Sequence, residues 1–193
     1  DNPSLYYQLG GSTLDLAGNN PPFYGADVST VTPGGVTGSI ASASNFTGAN
    51  TSIVSSSSTS PLTSGMSQEL WFKTTGNTGG KLIGYGNKKD TNSTTTDRNV
   101  YLTNAGKVVF GVYSGKARTV ISPKAYKDGA WHHLVATLGD DGMKLYVDGE
   151  LVGSNADITA GRLFSGYWRI GGDIINGWPS NPSASYFTGQ LND

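Results

Sequence analysis

The chain has 193 residues, among them 28 Gly, 10 Tyr, 4 Trp, 12 Asp and 2 Glu, and no cysteine. That length suits one domain able to bury about 70% of the surface its unfolded form exposes, and the lack of cysteine excludes disulfide frameworks, thiol nucleophiles and thiolate metal sites. Thirteen basic against fourteen acidic residues leave a formal charge of -1, which offers no broad field for nucleic acid or anionic membrane, and no apolar run approaches the ~18 residues of a membrane span.

The first third is rich in small and hydroxylated residues, as in Ser55-Ser56-Ser57-Ser58-Thr59-Ser60. Apolar residues at Leu14, Leu16, Val31, Ile40, Phe46, Ile53 and Val54 predict short strands joined by long loops, with turns at Pro21-Pro22 and Pro33-Gly34. A clear two-residue period begins at Gln68-Glu69-Leu70-Trp71-Phe72-Lys73-Thr74 and predicts a strand with one buried face. Lys81 to Gly86 forms the next strand. Asn99 to Thr103 and Lys107 to Tyr113 follow, joined by Asn104-Ala105-Gly106, a connection too short for a crossover helix, so this pair is antiparallel.

Trp131 to Leu138, Met143 to Val147 and Glu150-Leu151-Val152 make a meander. Its second turn, Asp148-Gly149, suits a type I′ geometry because Asp tolerates positive φ and Gly has no Cβ to clash. Tyr167 to Gly172 adds a further strand. Many short antiparallel strands separated by glycine-rich turns predict an all-β sandwich of two packed sheets. Trp71 and Trp131, lying in strongly alternating strands, are assigned to its core. His132 and His133 point to opposite faces of one strand and cannot clamp a metal together.

Glu69-Leu70-Trp71-Phe72-Lys73-Thr74, Asp128-Gly129-Ala130-Trp131-His132-His133-Leu134 and Leu145-Tyr146-Val147-Asp148-Gly149-Glu150 resemble, in order and spacing, the LamG-like jelly-roll domains of the concanavalin A-like lectin/glucanase superfamily. Tyr167-Trp168-Arg169-Ile170-Gly171-Gly172-Asp173 and Asn176-Gly177-Trp178-Pro179 are similar to a subgroup found as modules in large secreted bacterial proteins. The resemblance implies one concanavalin A-like jelly roll over residues 1–193, secreted or on the cell surface. Its closing motif is entered by Gly189-Gln190-Leu191-Asn192-Asp193 and then stops, so the final strand is expected to be absent, leaving an unpaired edge.

Laminarinase-like relatives carry their catalytic acids as Glu-x-Asp-x-x-Glu, which this chain lacks, and a hydrolase needs two carboxyl groups across a cleft. Only Asp97 and Asp173 suggest themselves as such a pair. The resemblance points instead to a noncatalytic carbohydrate-binding or adhesive module whose partner is a polysaccharide or cell-surface glycan, with neighbouring domains of a parent protein as further partners. The other readings are a structural or protein-binding spacer and a hydrolase.

Sugar binding asks for an aromatic plate and groups that fix hydroxyls. Tyr85, Asp97, Arg98, Tyr113, Trp168, Arg169, Asp173, Asn176 and Trp178 are the candidates, joined by Tyr167 and Tyr186, with Trp178 exposed in a turn between Gly177 and Pro179. An occluded Trp178 would favour the spacer. The resemblance also implies a structural calcium ion, an oxygen-seeking cation, between the Asp15-Leu16-Ala17-Gly18-Asn19-Asn20 loop and Asn192-Asp193. Its ligands would be Asp15, Asn20, Asn192 and Asp193. The loop Asp90 to Arg98 is a second oxygen-rich segment able to take calcium or glycan.

Overall fold

The computed structural model describes residues 3–34 and 42–193. Ile40 lies outside the described residues. Two antiparallel sheets pack face to face as a jelly-roll sandwich. The first runs β1 (Pro22–Tyr24), β4 (Val54–Ser56), β14 (Ser165–Ile170), β7 (Gly80–Gly86), β8 (Thr96–Leu102), β9 (Lys107–Ser114), β10 (Lys116–Ala125), with β5 (Ser60–Pro61) beside β14. The second runs β13 (Glu150–Asn155), β12 (Gly142–Val147), β11 (His132–Gly139), β6 (Met66–Lys73), β15 (Thr188–Asn192), β3 (Ala43–Thr47), β2 (Val28–Val31).

Alternation sets which residues meet between the sheets. In β11 every second residue is buried, and Leu134 and Ala136 join Leu70 and Phe72 of β6 and Leu145 and Val147 of β12 on the inner face. Val54, Leu82, Val100, Val108, Phe110 and Ile170 answer from the first sheet. The Asp148-Gly149 turn has φ of 54° and 82°, the paired left-handed conformation that a type I′ hairpin requires.

The same alternation corrects the placement of two tryptophans. Because Leu70 and Phe72 point inward, Trp71 points out, half-buried, with its ring 4.8 Å from that of His133 on the neighbouring strand. Trp131 is also half-buried, immediately before β11. His132 turns inward as its neighbour turns outward. Its Nδ1 lies 2.9 Å from Asp148 Oδ2 and its Nε2 3.0 Å from Asp128 Oδ1, so the imidazole ties the start of β11 to the hairpin turn.

Thr188–Asn192 pairs with both β3 and β6 and is an interior strand of the second sheet. Leu191 is fully buried there, in register with Phe72. Replacing it by Ala removes buried methyl groups and opens a cavity, and Leu191→Ala should lower unfolding stability by about 2–5 kcal/mol, measured as the shift of the urea midpoint at unchanged slope.

Candidate functional site

Residues 171–187 leave β14 and fold back over the outer face of the first sheet. Gly171, at φ 81°, turns the chain, and its N–H donates to Leu82 O at 2.8 Å while its carbonyl accepts from Phe187 N at 2.8 Å, closing the loop at its base. Ile175 and Trp178 then pack with Tyr101 and Val109 as a second, smaller apolar cluster. Gly111 makes room for the indole, since a Cβ there would stand 2.8 Å from the Trp178 ring. The indole Nε1–H donates to Thr96 Oγ1 at 3.3 Å, and the Tyr101 hydroxyl donates to Pro179 O. Trp178 is consequently only 7% exposed, which corrects its expected role as a projecting plate.

Strands roofed on both sides must direct their polar groups to protein in place of water. Lys81 and Asp173 are both fully buried, with Nζ 3.6 Å from Oδ2. Asp173 Oδ1 also accepts from Ser93 N at 3.0 Å and Ile174 N at 2.8 Å. Arg169 Nη1 donates to Lys88 O and Thr91 O, each at 2.8 Å, and so fastens the loop that precedes β8. Burial by itself would raise the Asp173 carboxyl, but Lys81 and Arg169 outweigh it and hold the group below the ordinary carboxylate range. Burial dominates for Lys81, whose pKa falls to about 8.

A second ionic cluster lies at the start of β8. Asp97 Oδ1 accepts from Arg98 N at 2.7 Å and Tyr113 N at 2.9 Å, while Oδ2 accepts from Arg98 Nη1 at 2.8 Å and Arg162 N at 2.9 Å. Arg98 donates onward from Nη1 to Arg162 O at 2.6 Å and from Nη2 to Thr63 O at 2.9 Å. Burial raises the Asp97 carboxyl above its ordinary value in spite of these donors. Tyr85 is buried too. Its hydroxyl donates to Ser60 O and accepts from Gly166 N, and its ring meets Trp168 edge-on at 5.4 Å.

Tyr85, Asp97, Arg98, Arg169 and Asp173, all expected to read sugar hydroxyls, are fully buried and direct most of their polar groups to protein partners, while Arg98 Nε, Arg169 Nε and Nη2 and Asp173 Oδ2 make no hydrogen bond among the described residues. They hold the site together without facing it. Neither Asp97 nor Asp173 reaches solvent, so the two do not face a substrate as a hydrolytic pair. Trp168, Tyr167 and Tyr186 stay half-buried, Tyr186 with its hydroxyl on Asn92 Oδ1.

Two of the expected residues do converge with Trp178. Tyr113, at the end of β9, and Asn176, exposed in segment 171–187, line a cleft of about 200 Å³ together with one face of the buried indole. Thr94 and Thr95 contribute hydroxyls, and Arg162, which the sequence did not single out, supplies a guanidinium centred 3.5 Å from the Tyr113 ring centroid. No sequence period marks Arg162. It stands in an irregular segment and is placed by its backbone bonds to Asp97, Arg98 and Tyr113.

A family model described as the concanavalin A-like lectin/glucanases superfamily matches residues 46–193. The chain belongs to that superfamily. Domain 4 of an extracellular arabinanase from Geobacillus stearothermophilus, a structure in complex with arabinotriose, is similar at 17% identity and a TM-score of 0.65, over 98% of this chain and 88% of that one. A heptameric SAP-like pentraxin from Limulus polyphemus is similar at 18% identity and 0.53, over 86% and 74%. Domains LG4-5 of the mouse laminin alpha1 chain follow at 20% and 0.51, over 78% of this chain and 39% of that chain. No curated protein sequence matches. The arabinanase likeness carries the concanavalin A-like fold through the N-terminal strands that precede the family match.

The oxygen groups expected around calcium divide into two kinds. Asp15 Oδ1 accepts from Tyr6 N at 3.0 Å and Ala17 N at 3.1 Å, and Oδ2 from Asn20 N at 3.2 Å, while the Asn20 amide is clamped to both backbone groups of Ser58. Asn192 Oδ1 and Asp193 Oδ1, in contrast, are buried without a hydrogen-bond partner among the described residues. No group of three or more His, Cys, Asp or Glu side chains gathers around an ion position among those residues.

The buried lysine makes a pH prediction. In the unfolded chain Lys81 holds its proton to about pH 10.5, whereas in the folded chain it releases it near pH 8. The unfolded state therefore binds more protons between those values, and the cost of burying the charge is relieved as pH rises through the window. The stability of wild type minus that of Lys81→Met should increase by about 1–2 kcal/mol from pH 8 to 10, read from paired urea titrations. A difference that stays constant would show that Lys81 does not titrate there.

Proposed function

We propose that this concanavalin A-like domain is a noncatalytic carbohydrate-binding or adhesive module of a larger extracellular protein, and that its ligand seat is the cleft at Tyr113, Arg162, Asn176 and Trp178. One observation carries the reading. The cleft gathers two aromatic side chains, hydroxyl and amide side chains and the Arg162 cation at the surface, next to two buried ionic clusters. Aromatic side chains beside a few placed polar groups are the chemistry of sugar recognition. The arabinanase domain that shares the fold over nearly the whole chain is itself described with a bound oligosaccharide, which supports the same ligand class here.

The cleft is small, so it seats a short stretch of a glycan and leaves the remainder in solvent. Affinity for a monovalent sugar should then lie between millimolar and micromolar, roughly -4 to -8 kcal/mol. Multiple copies or neighbouring domains of the parent protein would raise avidity on a polysaccharide or cell surface. A spacer role is the second reading, favoured by the occlusion of Trp178. A glycan array, followed by calorimetry on its hits, separates the two. Tyr113→Ala and Asn176→Ala should each weaken the best hit about ten-fold or more while leaving the thermal midpoint within about 2 °C, and a blank array would favour the spacer.

We also propose calcium as a structural ion at the C-terminal pair, supported by the two orphaned oxygens of Asn192 and Asp193, with Asp15 and Asn20 as the partners that the family resemblance implies. An ion that binds the folded state alone stabilises it by mass action. Adding millimolar calcium to protein stripped with chelator should raise the thermal midpoint by several degrees. An unchanged midpoint in both wild type and Asp193→Ala removes the ion from the account.

A further inference from the structure

We infer that the cleft selects an acidic saccharide, one bearing a uronic or sialic-type carboxylate, and that the Arg162 guanidinium is the group that reads the acid. This rests on the glycan-binding reading of the same cleft and names its ligand class.

Arg162 is held in an unusual way. Its backbone does the structural work, with the N–H shared between Tyr113 O and Asp97 Oδ2 at 2.9 Å each and the carbonyl accepting from Arg98 Nη1 at 2.6 Å. Its side chain then lies over the Tyr113 ring, with Cζ 3.5 Å from the centroid, in a cation–π contact that holds the guanidinium at the cleft while none of its side-chain N–H groups makes a hydrogen bond among the described residues. Arg162 takes part in no ion pair among the described residues. The cleft thus holds a fork of free donors to which the described residues bring no carboxylate.

The surroundings point the same way. The cleft lining contains one cation and no acidic side chain. The two carboxylates beneath it are already neutralised, Asp97 by Arg98 and Asp173 by Lys81, so neither presents a free charge to compensate Arg162. The hydroxyls of Thr94 and Thr95 and the Asn176 amide add neutral polar groups around the fork. A planar carboxylate can take two parallel N–H bonds from a guanidinium, and such charge-assisted pairs are about twice as strong as neutral ones. A neutral sugar would leave the fork facing a hydroxyl or water, so the geometry favours the acid.

The test compares ligands that differ only in charge. Trigalacturonate and sialyllactose are titrated against their methyl esters, which keep the rings and remove the anion, by calorimetry at 50 and 300 mM salt. At least one acid is expected to bind ten- to hundred-fold more tightly than its ester, with the preference shrinking at high salt. Arg162→Gln should abolish the preference, and Arg162→Lys, which keeps the charge but not the fork, should retain part of it. Both keep the backbone bonds, and an unchanged thermal midpoint confirms that they fold. Arg118→Gln, an exposed cation on β10 whose register partner is the inward-facing Val112, should leave selectivity intact.

Equal binding of acid and ester overturns the inference while the glycan reading stands. A preference that survives Arg162→Gln overturns the assignment to this residue. If no saccharide, acidic or neutral, binds the wild-type domain on the array, both this inference and the reading it rests on fall.

Discussion

Strands β7 and β8 are buried from end to end, and that double burial governs everything built on the first sheet. One face meets the sandwich core and the other lies beneath segment 171–187. A strand inside a half-solvated sheet alternates apolar with polar and leaves its polar residues to water. Here water is excluded from both sides, yet the sequence keeps Lys81, Asp97, Arg98 and Asn99 on these strands. Their partners must come from the protein, and Lys81 and Asp97 find theirs in Asp173, Tyr113 and Arg162, on the segments that form the cleft.

Buried ion pairs are poor sources of net stability, because taking two charges out of water costs several kcal/mol per ion and their attraction repays it only with good geometry. The depressed Lys81 pKa shows that cost. What the pairs supply is direction. Apolar packing of Ile175 and Trp178 on Tyr101 and Val109 would tolerate a range of loop positions, whereas a carboxylate that accepts from four donors tolerates almost none. Asp97 joins β8 to Tyr113 of β9 and to Arg162 at once, so two residues 49 positions apart in the chain meet at one wall of the cleft. The stabilising work falls to the apolar core, and the ionic clusters set the geometry of the surface site.

The sandwich was legible because strands with one solvated face print their alternation in the sequence, as in Gln68 to Lys73 and His132 to Leu138. The Asp148-Gly149 turn was equally readable, since only a few residue types accept its backbone angles. Trp71 was misplaced for a physical reason: its strand carries large apolar side chains on both faces, and composition cannot say which of Trp71 and Phe72 turns inward. Strand β10 is hard to read because at the sheet edge Lys116 and Arg118 lie on the same face as the buried Val120 yet stay exposed, so no apolar alternation is printed. The interior place of β15 is hidden in sequence because its short run Gly189 to Asn192 carries one large apolar residue, and only its pairing on both sides shows it.

The site was far less legible, and Trp178 shows why. Its neighbours Gly177 and Pro179 describe a turn, and a turn on its own is exposed. The slot that buries the indole is made by Gly111, 67 residues earlier, whose missing side chain carries no signal of what will fill the space. Asp97, Arg98, Arg169 and Asp173 look like surface recognition groups for the same reason, since charged residues are seldom fully buried unless paired, and sequence does not show the loop that roofs them. Once Trp178 is inside and these charges are spent, an open aromatic plate gives way to a different recognition surface. What faces solvent is a cation held over a tyrosine ring, with hydroxyls and an amide around it. Such a surface distinguishes ligands by charge and donor geometry more than by ring stacking, and the buried ionic frame beneath it keeps that geometry fixed before any ligand arrives.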